Sequence, residues 1–383
     1  MKIVATKKEN FMKVFDGHLH TFRFKVPVRE SINLFKRQFD RFGVDRMAFL
    51  ALPLDALPGK VEFDKTDLTD NLKVMYFKSV FAPKAYAYAG LTYKGLNLKD
   101  KKAVGEELLR QVKEYKRVGY DGMKMYEGHP NMRKLLFPLY DEVYDPYFNF
   151  CEKEGFPIIM HLANPAEFWD PNKVSDYWKT RGCFFDESYP TFKEFHEEVL
   201  KRLEKNPNLK FSLAHFGFLT YDKVAAEKFM SFKNTMLDVC PGGENYFKIL
   251  EDKDYWVKFI EKYADRITYG TDTYNFEYDN EENWLKNTGN RPLLVQNFFA
   301  TDTEHVYIDK KYTGIGLSEK DVNKIFYENL YNRLGEPKPI DYDYFIEKCD
   351  ELLFSADPES LSRYNLWCMK NDFITMKKGE KVW

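Results

Sequence analysis

The chain has 383 residues, enough for one large α/β domain or two ordinary ones. Lys and Arg number 58 against 60 Asp and Glu, a formal balance of −2, so there is no basic excess to attract nucleic acid or another polyanion. The five cysteines are odd in number, widely separated and without a C-x-x-C pair, which argues against a disulfide framework and for free thiols in a reducing compartment.

The first segment, MKIVATKKENFMKVFDGH, lacks the apolar run of a signal peptide, and no later stretch is long enough to span a bilayer. A cytoplasmic protein with no membrane partner is expected. From there, short β-rich runs alternate with longer charged segments carrying apolar residues at helical spacing. The first four runs are KVFDGHLH ending at His20, RMAFLAL after Gly43, AYAYAGLTY near residue 90 and GMKMYEG around Lys124. PIIMHLA around His161, KFSLAHFG around His215, NTMLDVCPG around Asp238 and RITYGTD ending at Asp272 complete the eight. Between them, KDKKAVGEELLRQVKEYKRVG and TFKEFHEEVLKRLEKNP read as helices that stop at Gly119 and near Pro207.

Eight strands, each followed by a crossover helix, predict a (β/α)8 TIM barrel. No linker divides residues 1–335, which are read as one domain, with residues 336–383 as an aromatic, partly helical extension packed on it. Residues 162–190 and 273–313 are too long for ordinary loops and are expected to form a substrate pocket at the C-terminal ends of the strands. The aromatic content, 17% of the chain, fits a packed core and an aromatic-lined pocket better than a base-stacking platform.

His18 and His20 stand two apart at the end of a strand-like run, so their side chains project to one face. Alone, such a pair reads equally as two metal ligands or two ordinary polar strand residues. His161, His215 and Asp272 also fall at strand ends, and a barrel gathers strand ends around one axis, which favours a catalytic divalent metal. Glu127, Arg23 and Arg181 are candidates for facing the pocket, the two arginines as substrate contacts, against a plainer reading as surface ion pairs. His129 reads as a turn or capping residue, His196 as part of a charged helix and His305 as part of a late loop. None of the cysteines has a recognisable catalytic setting, there is no G-x-S-x-G elbow, and GYDGMK and CPGGEN lack the spacing of a phosphate-binding loop.

FDGHLH, His161 in HLANP, NLKFSLAHFG, DRITYGTD and the closing GLSEKDVNKIFYENLYNRLG together resemble the amidohydrolase superfamily. They are most similar to its amidohydrolase-2 group of metal-dependent TIM-barrel hydrolases and decarboxylases, over roughly residues 11–335. The resemblance implies that His18, His20, His161 and Asp272 hold or touch a divalent metal, one Zn2+ with Mn2+ or Fe2+ as alternatives, with His215 near the bound water. It also implies that the cation acidifies water, that Asp272 or His215 takes the proton, and that Arg266 has a structural role below the last strand. Lys124 occupies the place of a lysine that is carboxylated in binuclear relatives. A mononuclear centre is favoured here, with Lys124 as a substrate contact.

The function expected is hydrolysis of an amide, lactone or ester-like bond in a small carboxylated molecule. The same metal shell serves a lyase, either a decarboxylase or a hydratase, and a non-catalytic binding barrel is a third reading. Homo-oligomerisation is common in the group and is carried here as an expectation.

Overall fold

The computed structural model describes residues 12–21, 27–53, 70–242, 245–274, 280–307, 310–356 and 359–382. Eight parallel strands follow one another around a single sheet in chain order. They are β1 (Val14–Leu19), β2 (Val44–Leu50), β3 (Ala85–Gly90), β4 (Gly122–Gly128), β5 (Ile158–Leu162), β6 (Phe211–Leu213), β7 (Thr235–Asp238) and β8 (Ile267–Thr268). The last strand is short, and the ring closes through the chain that follows it. Gly17 N donates to Tyr269 O, Asp272 N to His18 O and His20 N to Thr273 O, at 2.8–3.0 Å. The architecture is the expected (β/α)8 barrel.

Its strands are apolar on both faces because both faces are covered. On β2, Ala48 and Leu50 point into the barrel while Met47 and Phe49 meet the helices; on β3, Tyr86 and Tyr88 point in while Ala85, Ala87 and Ala89 face out. The helices form where the sequence signals them. Val28–Phe42 buries Val28, Ile32, Phe35, Phe39 and Phe42 along one face and stops at left-handed Gly43. Lys101–Val118 is capped by the Asp100 carboxylate and stops at Gly119, and Phe192–Lys205 opens with a Thr191/Glu194 capping box.

The closing segment runs helically from Glu319 to Leu334 but contains a π turn over Lys324–Glu328. That turn leaves the Ile325 carbonyl to accept Tyr269 N–H at 2.8 Å, and Asn329 Nδ2 donates to the carbonyls of Ala264 and Ile267, each at 2.7 Å. Asn329, in the KIFYEN stretch of this segment, therefore ties the helix to the start of β8. Tyr327, Leu330, Tyr331 and Leu334 pack against the inward-facing cluster of Phe15, Tyr86 and Tyr88.

Beyond it, helices Tyr342–Ser355 and Leu361–Lys377 pack on each other and on the barrel. Asp372 accepts from Tyr76 Oη at 2.5 Å and pairs with Arg29 at 2.9 Å, and Asn365 Oδ1 accepts Val28 N–H at 2.8 Å. Both long insertions contain regular elements among their described residues. Residues 162–190 fold over a small core of Phe168, Val174 and Phe185. Residues 273–313 include helices Glu281–Trp284 and Arg291–Ala300 and a hairpin of β9 (Glu304–Tyr307) and β10 (Lys310–Thr313). Among the described residues, no helix is long and apolar enough to cross a membrane.

Candidate metal centre and active site

At the C-terminal end of β1, His18 and His20 are buried and point to the same side. Each ring is held by its far nitrogen. His18 Nδ1 lies 2.6 Å from Asp238 Oδ2, and His20 Nδ1 lies 2.7 Å from the Leu50 carbonyl. An oxygen acceptor at Nδ1 places the proton there, so both Nε2 atoms present lone pairs. These two nitrogens face each other at 3.0 Å, and Asp272 Oδ1 lies 3.7 Å from the first and 3.4 Å from the second.

Two lone pairs and a carboxylate oxygen aimed at one point repel unless a cation lies between them. In a tetrahedral site with bonds of about 2.0–2.1 Å, donor atoms stand about 3.3 Å apart, and the three observed separations bracket that value. The donor set therefore fits a divalent metal. Lys124 Nζ lies 3.3 Å from His18 Nε2 and is buried, and burial lowers its pKa.

Asp272 is reached by a strained backbone, with φ +52°. Burial alone would raise the pKa of its carboxyl, but the contact with His20 and the adjacent Arg291 guanidinium outweigh burial and hold it well below the usual carboxylate range. Arg291 Nη1 donates to Asp272 Oδ2 at 2.8 Å and also to the Asp272 carbonyl. Asp16 of the FDGHLH run braces the seam, accepting from His18 N, Thr271 N and Thr271 Oγ1. Its burial raises its pKa to about 7. Gly270 in YGTD is needed for close approach, since a Cβ there would lie 2.4 Å from Asp238 Oδ1 and 2.8 Å from His18 Cβ.

His215 follows β6 at the start of four consecutive left-handed residues, His215–Phe218, of which only Gly217 adopts that conformation without strain. Three side chains hold this turn. Asn245 Nδ2 donates to His215 O at 2.6 Å, His196 Nε2 donates to Gly217 O at 2.8 Å, and the Cys240 sulfur accepts His215 N–H at 3.3 Å. Cys240 Sγ also lies 3.2 Å from His215 Nδ1. Burial lowers the His215 pKa to about 4, which leaves its ring neutral.

His161, expected as a fourth ligand, stands beside this group. Its ring is 4.9 Å from that of His215, its Nε2 is bonded to the Ala163 carbonyl at 3.0 Å, and it belongs to neither set of convergent donor atoms. Arg181 is exposed and stacks on Tyr177 at 3.7 Å, on the rim of the pocket, and Arg23 lies outside the described residues. Glu127 corrects the surface ion-pair reading. It is buried, accepts from Tyr93 Oη and Tyr126 N, and burial pushes its pKa up to about 7. His129 does cap a short helix as expected, but it is buried, with its ring 5.1 Å from that of His161. His196 likewise proves to be a buried brace. Arg266 has the structural place foreseen, bonded to the Phe232 carbonyl immediately before β8.

Three residues packed against the donor cluster are not singled out by the sequence motifs. Asp238 and Cys240 stand two apart at the end of β7, the same alternation that singled out His18 and His20, and that signal was available. Arg291 lies 19 residues beyond Asp272 in sequence, and no local pattern marks it. A cavity of about 520 Å3 opens beside the cluster, lined by Tyr274, Arg291, Tyr307, Tyr246, Trp178 and Arg181 among others. Gly242 in its wall abuts His215, since a Cβ there would lie 3.1 Å from His215 Cβ.

Solved structures to which the chain is similar include a 2,6-dihydroxybenzoate decarboxylase from Rhizobium, a dihydroxybenzoic acid decarboxylase from Polaromonas with bound manganese, and a 4-oxalomesaconate hydratase from Rhodopseudomonas palustris. The Rhizobium decarboxylase is 17% identical, over 84% of this chain and 98% of its own, with TM-score 0.46. The Polaromonas decarboxylase is 17% identical, over 84% and 97%, with TM-score 0.46. The hydratase is 14% identical, over 89% and 98%, with TM-score 0.46. No curated protein matches the sequence. The amidohydrolase family matches from residue 16 to residue 329, from the aspartate of FDGHLH to the asparagine that anchors the closing helix. The chain belongs to the amidohydrolase family.

Proposed function

We propose that the protein is a metal-dependent hydrolase that cleaves an amide, lactone or ester-like bond in a small carboxylated molecule. The observation that carries this reading is the convergence of His18 Nε2, His20 Nε2 and Asp272 Oδ1 on one point beside a cavity. His18, His20 and Asp272 would hold a divalent ion, Zn2+ or Mn2+, which would supply Lewis-acid polarisation of a carbonyl and a more acidic water.

The chain's own groups do the rest. Asp238 fixes the His18 ring in the tautomer that offers Nε2. Asp272, kept ionised by Arg291, serves better as an anionic ligand than as a base, which narrows the double role expected of it. His215, neutral and tied through Nδ1 to Cys240, has Nε2 as its proton-accepting atom and returns that proton to the leaving group. Arg291 and Arg181 in an aromatic wall favour a substrate that carries a carboxylate.

The same wall supports the second reading, decarboxylation or hydration of an unsaturated or aromatic acid, because that chemistry also needs a carboxylate held beside the cation. Metal analysis of the wild type and of His18→Ala and Asp272→Asn, followed by a panel of lactones, amides and carboxylic acids, tests both. Release of a new acid supports the hydrolase, and release of carbon dioxide supports the lyase. A wild type that binds no divalent metal, or variants that retain full activity, would sink both.

A further inference from the structure

Among the described residues, the donor atoms around His18 form two sets. One is His18, His20 and Asp272; the other is His18, His215 and Cys240, whose ligating atoms also lie within 4.8 Å of one another and are all buried. We propose that the second set is a separate, sulfur-containing cation position for thiophilic divalent ions such as Cd2+, and that it competes with the first.

His18 is common to both sets. Its Nδ1 is committed to Asp238 at 2.6 Å, so Nε2 carries its one available lone pair, and that pair serves one ion at a time. The two positions therefore exclude each other. They also differ in kind. The first offers two imidazoles and a carboxylate and suits a harder ion such as Mn2+, whereas the second replaces the carboxylate with sulfur, which selects softer ions.

In the second set the sulfur and the His215 ring are already at a ligating separation, and the His18 donor lies within 4.8 Å of both. A tetrahedral ion with bonds of about 2.3 Å to sulfur and about 2.0 Å to nitrogen holds those atoms about 3.5 Å apart, and Cys240 Sγ and His215 Nδ1 stand at 3.2 Å. That pair needs a shift of only a few tenths of an ångström. The sulfur is in place because Asp238 Oδ1 accepts Cys240 N–H at 2.7 Å, fixing the backbone just beyond β7. On binding, the S–H bond gives way to a sulfur–cation bond, and the proton passes to buffer with no change in oxidation state. An ion so held withdraws both His18 and His215 from the chemistry proposed above, so a thiophilic cation inhibits by occupying the wrong half of the site.

The test is a pair of metal titrations on the metal-free full chain, with Mn2+ followed by electron paramagnetic resonance and Cd2+ followed by the ultraviolet thiolate-to-cadmium charge-transfer band. In the wild type, Cd2+ should produce the band and displace bound Mn2+ one for one. Cys240→Ser should abolish the band and weaken Cd2+ binding by about tenfold or more while leaving Mn2+ affinity within about twofold, which also shows that the variant is folded. Asp272→Asn should do the reverse. Cys183→Ser, which removes the half-buried thiol lining the cavity, should change neither. Mn2+ binding without a cadmium–thiolate band, or a band that survives Cys240→Ser, overturns this proposal and leaves the proposed function standing. A cadmium band that Cys240→Ser removes, with no Mn2+ or Zn2+ binding, upholds the sulfur-containing position, overturns the competition between the two and counts against that function.

Discussion

Asp238 shows how much a single side chain outside the ligand set can decide. His18 offers a lone pair to the cluster only because the Asp238 carboxylate, 2.6 Å away, keeps the proton on Nδ1. Asp238→Asn can turn its amide NH2 toward that nitrogen and favour the opposite tautomer. Metal affinity is expected to fall by about 10- to 100-fold, read by titration of the metal-free protein, and unchanged affinity would show that the ring is oriented by something else.

Glu127 carries a different kind of information. Burial moves its pKa from 4.5 to about 7. Its raised pKa means that the folded state holds the proton more tightly than the unfolded state. The folded protein is therefore unpenalised below about pH 4.5, loses stability as pH rises toward 7, and loses no more above that. Glu127→Gln mimics the protonated form, so the variant should gain on the wild type by roughly 3 kcal/mol between pH 4.5 and 8. Thermal unfolding of both proteins across that range checks it. A gap that is constant with pH refutes the assignment.

At the scale of elements, two irregular segments do the positioning. The left-handed run His215–Phe218 is costly in itself and stands because Asn245, His196 and Cys240 each satisfy a backbone group in it. His196→Ala leaves the buried Gly217 carbonyl without its donor, with an expected loss of about 1–3 kcal/mol in denaturant unfolding and a weaker hold on His215. The π turn in the closing helix is the counterpart at the opposite end of the barrel. Asn329→Ala strips two buried carbonyls of a shared donor and should cost about 2–4 kcal/mol in the same measurement, while metal affinity stays near that of the wild type. Neither irregularity is legible in helical or strand periodicity. Each exists because a backbone group in one element is completed by a side chain or a carbonyl from another.

At the scale of the whole molecule, the two C-terminal helices are bound into the barrel wall. Phe345, Leu366, Met369 and Phe373 are buried, Asp372 joins Tyr76 and Arg29, and Asn365 meets the start of the first helix. A chain ending at Pro339 would expose the apolar faces around Tyr76 and Tyr120. It is expected to lose its single cooperative unfolding transition or to precipitate, judged by calorimetry and light scattering. A truncated chain that melts like the full one would show that the extension is dispensable.

Eight strand-like runs alternating with helices, read from period and punctuation alone, already determined the barrel, because each run had to bury both faces and each helix one. The same order placed His18, His20, His215 and Asp272 at strand ends, and closing eight strands into a ring brings those ends together. Only the tertiary structure decided which groups converge. It placed His161 beside His215 rather than among the three convergent donor atoms, buried Glu127 and His129, and brought Asp238, Cys240 and Arg291 to the centre. The physical reason is that a ligand's useful atom is chosen by what its other atoms touch, and those partners lie tens to hundreds of residues away: 220 for His18 with Asp238, 25 for His215 with Cys240.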